Sequence, residues 1–178
     1  MSTGTWTRTR EMVLGALLAA LAIIIPIAFQ GTLQFQLPPF TATLASHVPS
    51  MLAMFISPAT AAIVGLGSTF GFLVTLGPVV AARAFTHVIF GVVGAYLYRR
   101  GWGVWPVLLA VLPIHALAEG AAVHLMVMVG FQVPLTWVII SGGTAVHHML
   151  DAVITWFIIR ALTAAGIQLG PTGRRPVL

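Results

Sequence analysis

The chain has 178 residues, of which 59% are hydrophobic and only 6% charged, and its mean hydropathy is +1.04. Soluble domains carry charge on about a quarter of their residues, so a water-soluble domain, a disordered chain and a nucleic-acid-binding module are excluded together. There is no cysteine, which removes disulfides and thiolate-metal chemistry. The net charge of +5 comes from scattered arginines without a single lysine, which is no polyanion-binding patch.

A helix needs about 20 mainly apolar residues to cross a bilayer. The first run, Met12 to Phe29, has that length and follows Arg8, Arg10 and Glu11. It lacks a small-residue cleavage signature, so it reads as a mature helix over about residues 10–29 and not as a signal peptide. Gln30 to Pro39 is polar and carries Gly31 and a Pro38-Pro39 pair, the composition of a loop. Five more helices are expected over about 41–56, 59–76, 79–98, 104–129 and 135–164. Their boundaries are set by Ser57-Pro58, Gly77-Pro78, Arg99-Arg100-Gly101 and the turn around Gly130 to Pro134. A bend is expected near Pro113.

The expected architecture is therefore an all-α, single-domain, six-transmembrane-helix bundle over residues 1–178, lying in the plasma membrane with the bilayer as its solvent. Six crossings put both termini on one side. A cytoplasmic N-terminus places Arg8, Arg10, Arg99, Arg100, Arg160, Arg174 and Arg175 at cytoplasmic ends, leaving only Arg83 toward the other face. That asymmetry follows the positive-inside rule.

Ionisable residues inside membrane helices are expensive, so each is a candidate functional residue. Here they are Arg83, Glu119 and Asp151, with His47, His87, His115, His124, His147 and His148, so that every histidine of the chain falls in an expected span. Counting about 1.5 Å per residue from the outer ends puts most of them in the outer half of the bilayer. Arg83/His87, His115/Glu119 and His147/Asp151 are i,i+4 pairs, each on one helix face. One or two such residues could merely link helices. Nine gathered on the second, fourth, fifth and sixth helices point to a polar ligand cavity. The first helix has small residues at Gly15/Ala19 and Ala16/Ala20, and the third at Gly65, Gly67, Ser68 and Gly71, spacings that permit close helix approach within the bundle or against a partner.

Enzymatic readings fit poorly. There is no His-Glu-x-x-His run for a zinc protease and no Gly-rich phosphate loop for nucleotide hydrolysis. A binuclear metal enzyme would want more than two intramembrane carboxylates. Ser141 and His147 share one helix, which is not a serine-protease arrangement. A haem protein remains the competing reading, because axial ligation needs only one or two facing histidines.

A chain this short with six spans, small residues on its first helix and a polar outer cavity resembles the substrate-binding S-components of energy-coupling factor (ECF) vitamin transporters. Ala16-x-x-x-Ala20 looks like the Ala-x-x-x-Ala signature by which that family's first helix meets its coupling protein. The stretch Thr43 to Pro58 looks most like the second helix of niacin-type members. The resemblance implies capture of a small vitamin at the outer face, no enzymatic activity, and work with a transmembrane coupling protein and two cytoplasmic ATPases. It also implies a lid from Gln30 to Pro39, with Gln34, Phe35 and Gln36 facing the ligand, and a second lid element near Trp137. A nicotinate-like ligand would find a charged clamp in Arg83, donors in His47 and His87, and Glu119 to fix a tautomer or neutralise the arginine. His124, His147, His148 and Asp151 complete the expected binding set. Metal transport is not expected, because position 2 is Ser2 where nickel- and cobalt-type relatives carry histidine, and no cofactor is expected unless the haem reading holds.

Overall fold

The computed structural model describes residues 8–37, 40–133, 137–167 and 169–170; the side chains of 36 and 37 and the expected tail beyond residue 170 lie outside that description. Six helices and one small hairpin follow in order: α1 (Arg8–Ala28), β1 (Gln34–Leu37), β2 (Phe40–Thr43), α2 (Val48–Met54), α3 (Pro58–Leu76), α4 (Pro78–Arg99), α5 (Val104–Met128) and α6 (Trp137–Ala164). Five of them, α1 and α3 to α6, are long and apolar enough to cross a membrane.

The long helices begin and end where the sequence provides stops. Ser57 caps α3 by accepting the N–H of Thr60 at 3.1 Å, with Pro58 at the first helical position. Gly77 joins α3 to α4 with φ +80°, a conformation that favours glycine, and Pro78 opens α4. Pro113 is accommodated inside α5, which continues to Met128. Large side chains such as Leu17, Ile24, Phe70, Leu117 and Phe157 are exposed around the bundle. Five membrane-length helices with apolar residues facing outward form a surface matched to hydrocarbon.

The expected second helix over 41–56 is corrected: α2 has only seven residues, and the residues before it form a hairpin. The expected loop over Gln30 to Pro39 correspondingly contains β1. The two strands pair antiparallel, Gln34 opposite Thr43 and Leu37 opposite Phe40. After β2, Ala45 takes a positive φ of 63°, and the Asp151 carboxylate of α6 accepts the N–H groups of Ala45 at 2.9 Å and His47 at 3.0 Å. Those two bonds hold the turn in a non-helical shape and start α2 only at Val48.

The chain nevertheless returns there to the end of the bundle where α1 begins. Gly15 of α1 packs on Thr60, Ala19 on Gly67 and Ile23 on Gly71, so α1 and α3 run parallel. Glu11 also reaches the hydroxyl of Ser57 at the start of α3. Residues 29–57 therefore return across the bundle, although α2 is only about 10 Å long. Hairpin and turn cover the remainder. Irregular backbone is tolerated at membrane depth only where protein covers it or it lines a cavity, and α2 is buried at every position, as are Thr43, Ser46 and His47.

The remaining helices alternate in direction, and α6 ends near the start of α1: Gly170 abuts Phe55 and Ile56, beside Ser57. Below the hairpin, an apolar core of Met51, Met54, Phe90, Val107, Leu108 and Ala152 surrounds α2. Above it lies a polar layer.

Candidate functional site

The long helices α3 to α6 contribute to this layer, each through the face its spacing dictates. On α4, Arg83, His87 and Phe90 lie within two turns on one buried face. On α5, His115, Glu119 and Val123 share one buried face, and on α6, Thr144, His147, His148, Asp151 and Thr155 share another over about three turns. The second pass adds Thr41, Thr43 and His47, and α3 adds Ser68. Phe90 forms the floor, with its ring centroid 4.2 Å from that of His115 and 5.5 Å from that of His87.

Glu119 is the hub. Its Oε2 accepts from Arg83 Nε at 2.8 Å and from Thr144 Oγ1 at 2.7 Å, and lies 2.7 Å from Arg83 Nη2. Its Oε1 faces three histidine nitrogens: Nε2 of His115 at 3.2 Å, of His87 at 3.8 Å and of His47 at 4.0 Å. All six side chains are nearly inaccessible. Such burial of one guanidinium and one carboxylate is sustainable only because they pair at close range with their other atoms satisfied. Arg83 spends its remaining donors on the hairpin, with Nη1 donating to Thr41 Oγ1 at 3.2 Å and Nη2 to the Thr41 carbonyl at 3.4 Å.

A second ring of contacts orients the histidines. Ser68 Oγ hydrogen-bonds His87 Nδ1 at 2.9 Å, and His115 Nδ1 hydrogen-bonds His148 Nδ1 at 2.9 Å. His148 Nε2 donates to the Leu108 carbonyl at 3.0 Å, and His147 Nε2 to that of Thr43 at 3.1 Å. His47 Nδ1 is 3.1 Å from Asp151 Oδ2 but off the line of a hydrogen bond. Between the hairpin and α4 a narrow opening leads to this centre, bordered by Thr41, Ser46, His47, Arg83, His87 and His147; its volume is about 20 Å³, room for about one water. His47, His87, His115 and Glu119 form one set of side chains able to hold a metal ion, and His47, His147 and Asp151 a second.

Of the residues expected to bind ligand, His47, Arg83, His87, Glu119, His147, His148 and Asp151 are brought together. His124 and Trp137 are not: both are exposed and line a separate lateral groove with Leu117 and Ala121. Five residues separate Glu119 from His124, a rotation of about 140° around the helix, which turns that histidine outward. Gln34 is half-buried on β1 and donates to Thr43 Oγ1 at 3.2 Å within the hairpin, and Phe35 is exposed. Gln36 falls among the side chains outside the description.

His115, one of the nine intramembrane candidates but left out of the expected binding set, stands at the centre; Ser68, Thr41 and Thr144 were not anticipated. The i,i+4 relation to Glu119 is the signal that could have promoted His115. On α1, Gly15 and Ala19 face α3, whereas Ala16 and Ala20 are exposed.

No protein-family model matches the chain, and no solved structure matches it. Among curated proteins it is similar to the niacin transporter NiaX of Lactococcus lactis subsp. cremoris (strain MG1363), with 38% identity over 94 residues. The aligned stretch is 52% of this chain and 41% of that transporter, so the match spans less than half of the relative's length. It agrees with the niacin-type resemblance drawn from the sequence. Together with five membrane-length apolar helices it identifies a multi-pass membrane protein related to a transporter.

Proposed function

We propose that the chain is the substrate-binding subunit of an ECF-type vitamin importer in the plasma membrane, and that its ligand is a small aromatic monocarboxylate of the nicotinate kind. The observation that carries this reading is the convergence of eight of the nine expected polar residues on one buried centre beneath the hairpin. A purely structural network would have no reason to border an opening. The similarity to a niacin transporter supports the ligand class.

The sidedness follows from the arginines. Arg8, Arg10, Arg99, Arg100 and Arg160 lie toward the end of the bundle opposite the hairpin, so by the positive-inside rule that end is cytoplasmic. The opening then faces outward, where a vitamin is captured. Arg83 is the cation that a carboxylate meets on entry. Its contacts to Thr41 are the exchangeable ones, because those to Glu119 are shorter and charge-assisted. A ligand carboxylate replacing Thr41 on the guanidinium would thereby act on the hairpin, which serves as the lid. The histidine ring centroids, 4.3–5.3 Å apart, leave no space for a macrocycle between facing imidazoles, which favours a ligand much smaller than haem.

The reading requires no catalysis by this chain. Transport requires a coupling protein and two ATPases, for which the exposed Ala16/Ala20 face of α1 is the proposed contact. Calorimetry on the purified protein tests the site: Arg83→Ala should weaken nicotinate binding at least tenfold. An unchanged affinity in a folded variant would remove Arg83 from the binding role.

A further inference from the structure

We propose that His47, His87, His115 and Glu119 hold one divalent transition-metal ion, with zinc the best match, and that this ion takes a donor atom of the bound anion. The ion site stands on geometry alone. Its role toward the ligand rests on the function proposed above.

The donor atoms of these four residues lie within 4.8 Å of one another, and all four residues are buried. Zinc bonds of about 2.0–2.2 Å in a tetrahedron place donors about 3.3 Å apart, so each side chain need move inward by less than about 1 Å. Three imidazoles and one carboxylate are a donor set that suits zinc and its neighbours. The outer contacts are those of a metal site as well. Ligating histidines commonly anchor their far ring nitrogen, which fixes tautomer and direction. Here His87 Nδ1 is held by Ser68, His115 Nδ1 by His148, and His47 Nδ1 lies beside Asp151. The far oxygen of Glu119 is fixed by Arg83 and Thr144.

The hydrogen-bond chain adds a reason why a cation is needed. The Leu108 carbonyl can only accept, so His148 Nε2 carries a proton. In a neutral His148, Nδ1 must then accept, and His115 donates to it from its own Nδ1. That leaves His115 Nε2 as a bare lone pair 3.2 Å from a carboxylate oxygen. Two lone pairs meet there, and only an additional proton or a metal ion between them makes the contact favourable.

Charge balance favours the metal. With neutral histidines, one guanidinium stands against the carboxylates of Glu119 and Asp151, so the buried layer is formally −1 and repels an anion. A divalent ion turns it to +1, which a monocarboxylate neutralises. Nicotinate offers that carboxylate and a pyridine nitrogen, either of which can add as a fifth donor from the side of the opening.

The test uses the full-length protein in detergent, stripped with chelator and titrated with zinc chloride alone. One zinc per chain is expected, and Ser68→Ala, which leaves the four ligands in place, should weaken zinc affinity about 10–100-fold. Cobalt(II) in place of zinc should give visible d–d bands of a four- or five-coordinate site, a readout that needs no variant. No stoichiometric uptake of either metal by folded protein would overturn the site and assign the cation to a proton. Radiolabelled nicotinate then separates the two claims. Binding at least tenfold weaker without zinc, and a changed cobalt spectrum on its addition, support coordination. Equal binding with and without zinc overturns the ion's role but leaves the proposed function standing. Stoichiometric zinc without any nicotinate binding sinks the proposed ligand and keeps the metal site.

Discussion

Asp151 shows how one side chain can serve fold and site together. Its two oxygens accept the backbone N–H groups of Ala45 and His47, more than 100 residues away in sequence, while the same carboxylate lies against the rings of His47 and His147. Replacing it by alanine leaves two N–H groups without acceptors in a buried setting, each costing about 1–3 kcal/mol. Asp151→Ala should therefore lower the thermal unfolding midpoint in detergent and weaken ligand binding, through the displaced His47. An unchanged midpoint would mean that the turn is held by something else. The sequence marked Asp151 as functional from its depth alone; its fold-determining role was invisible, because nothing local to residues 40–47 announces a partner on α6. His124 shows the opposite error. Its helical phase was overlooked, though it was readable from Glu119 and from the apolar Val123 one turn on, which is buried.

The elements read best from sequence are those whose ends carry their own punctuation. Pro58, Gly77-Pro78 and Gly103 stop or start helices by local stereochemistry, so the expected limits of the first helix and of the last four agree with α1, α3, α4, α5 and α6 within two residues. The second pass was misread because hydropathy measures burial and not backbone shape. Thr41 to Ile56 is apolar because it is enclosed by protein, and a hairpin with a short helix is enclosed as well as a spanning helix would be. Its fastening to the site is extensive: Thr41 to Arg83, Thr43 to His147, and the Phe40 ring against Gly143 of α6. Close packing of α3 on α4 supports that arrangement from the other side. A side chain at Gly65 would put its Cβ 2.7 Å from the Val88 nitrogen and 2.9 Å from its Cα. Backbone cannot yield as a side chain can, so Gly65→Ala should destabilise the bundle by about 1–3 kcal/mol. A thermal melt matching that of the unaltered protein would show that the two helices separate more freely than they are packed here.

On the scale of the whole molecule, the polarity of the bundle is its main property: a charged and imidazole-rich layer near the hairpin end, an apolar core beneath it, and arginines at the far end. Among the described residues the few charges follow this division: Arg83, Glu119 and Asp151 lie in the polar layer, and the other arginines lie toward the far end, where Glu11 bonds Ser57. The outward face of α1 belongs to the same scale. Gly15 and Ala19 are used inside the bundle, whereas Ala16 and Ala20 are exposed, which leaves them free for the proposed coupling partner. Ala16→Trp should abolish uptake in cells supplied with the ATPases and coupling protein while sparing nicotinate binding. Normal uptake would place that contact elsewhere.

The proposal that the buried polar centre binds a small aromatic carboxylate is tested most directly by calorimetric titration of nicotinate into the purified, zinc-replete protein. Saturable binding of one nicotinate per chain, without competition from a ring that lacks the carboxylate, is the predicted result; folded protein that takes up no nicotinate, with or without zinc, would contradict it.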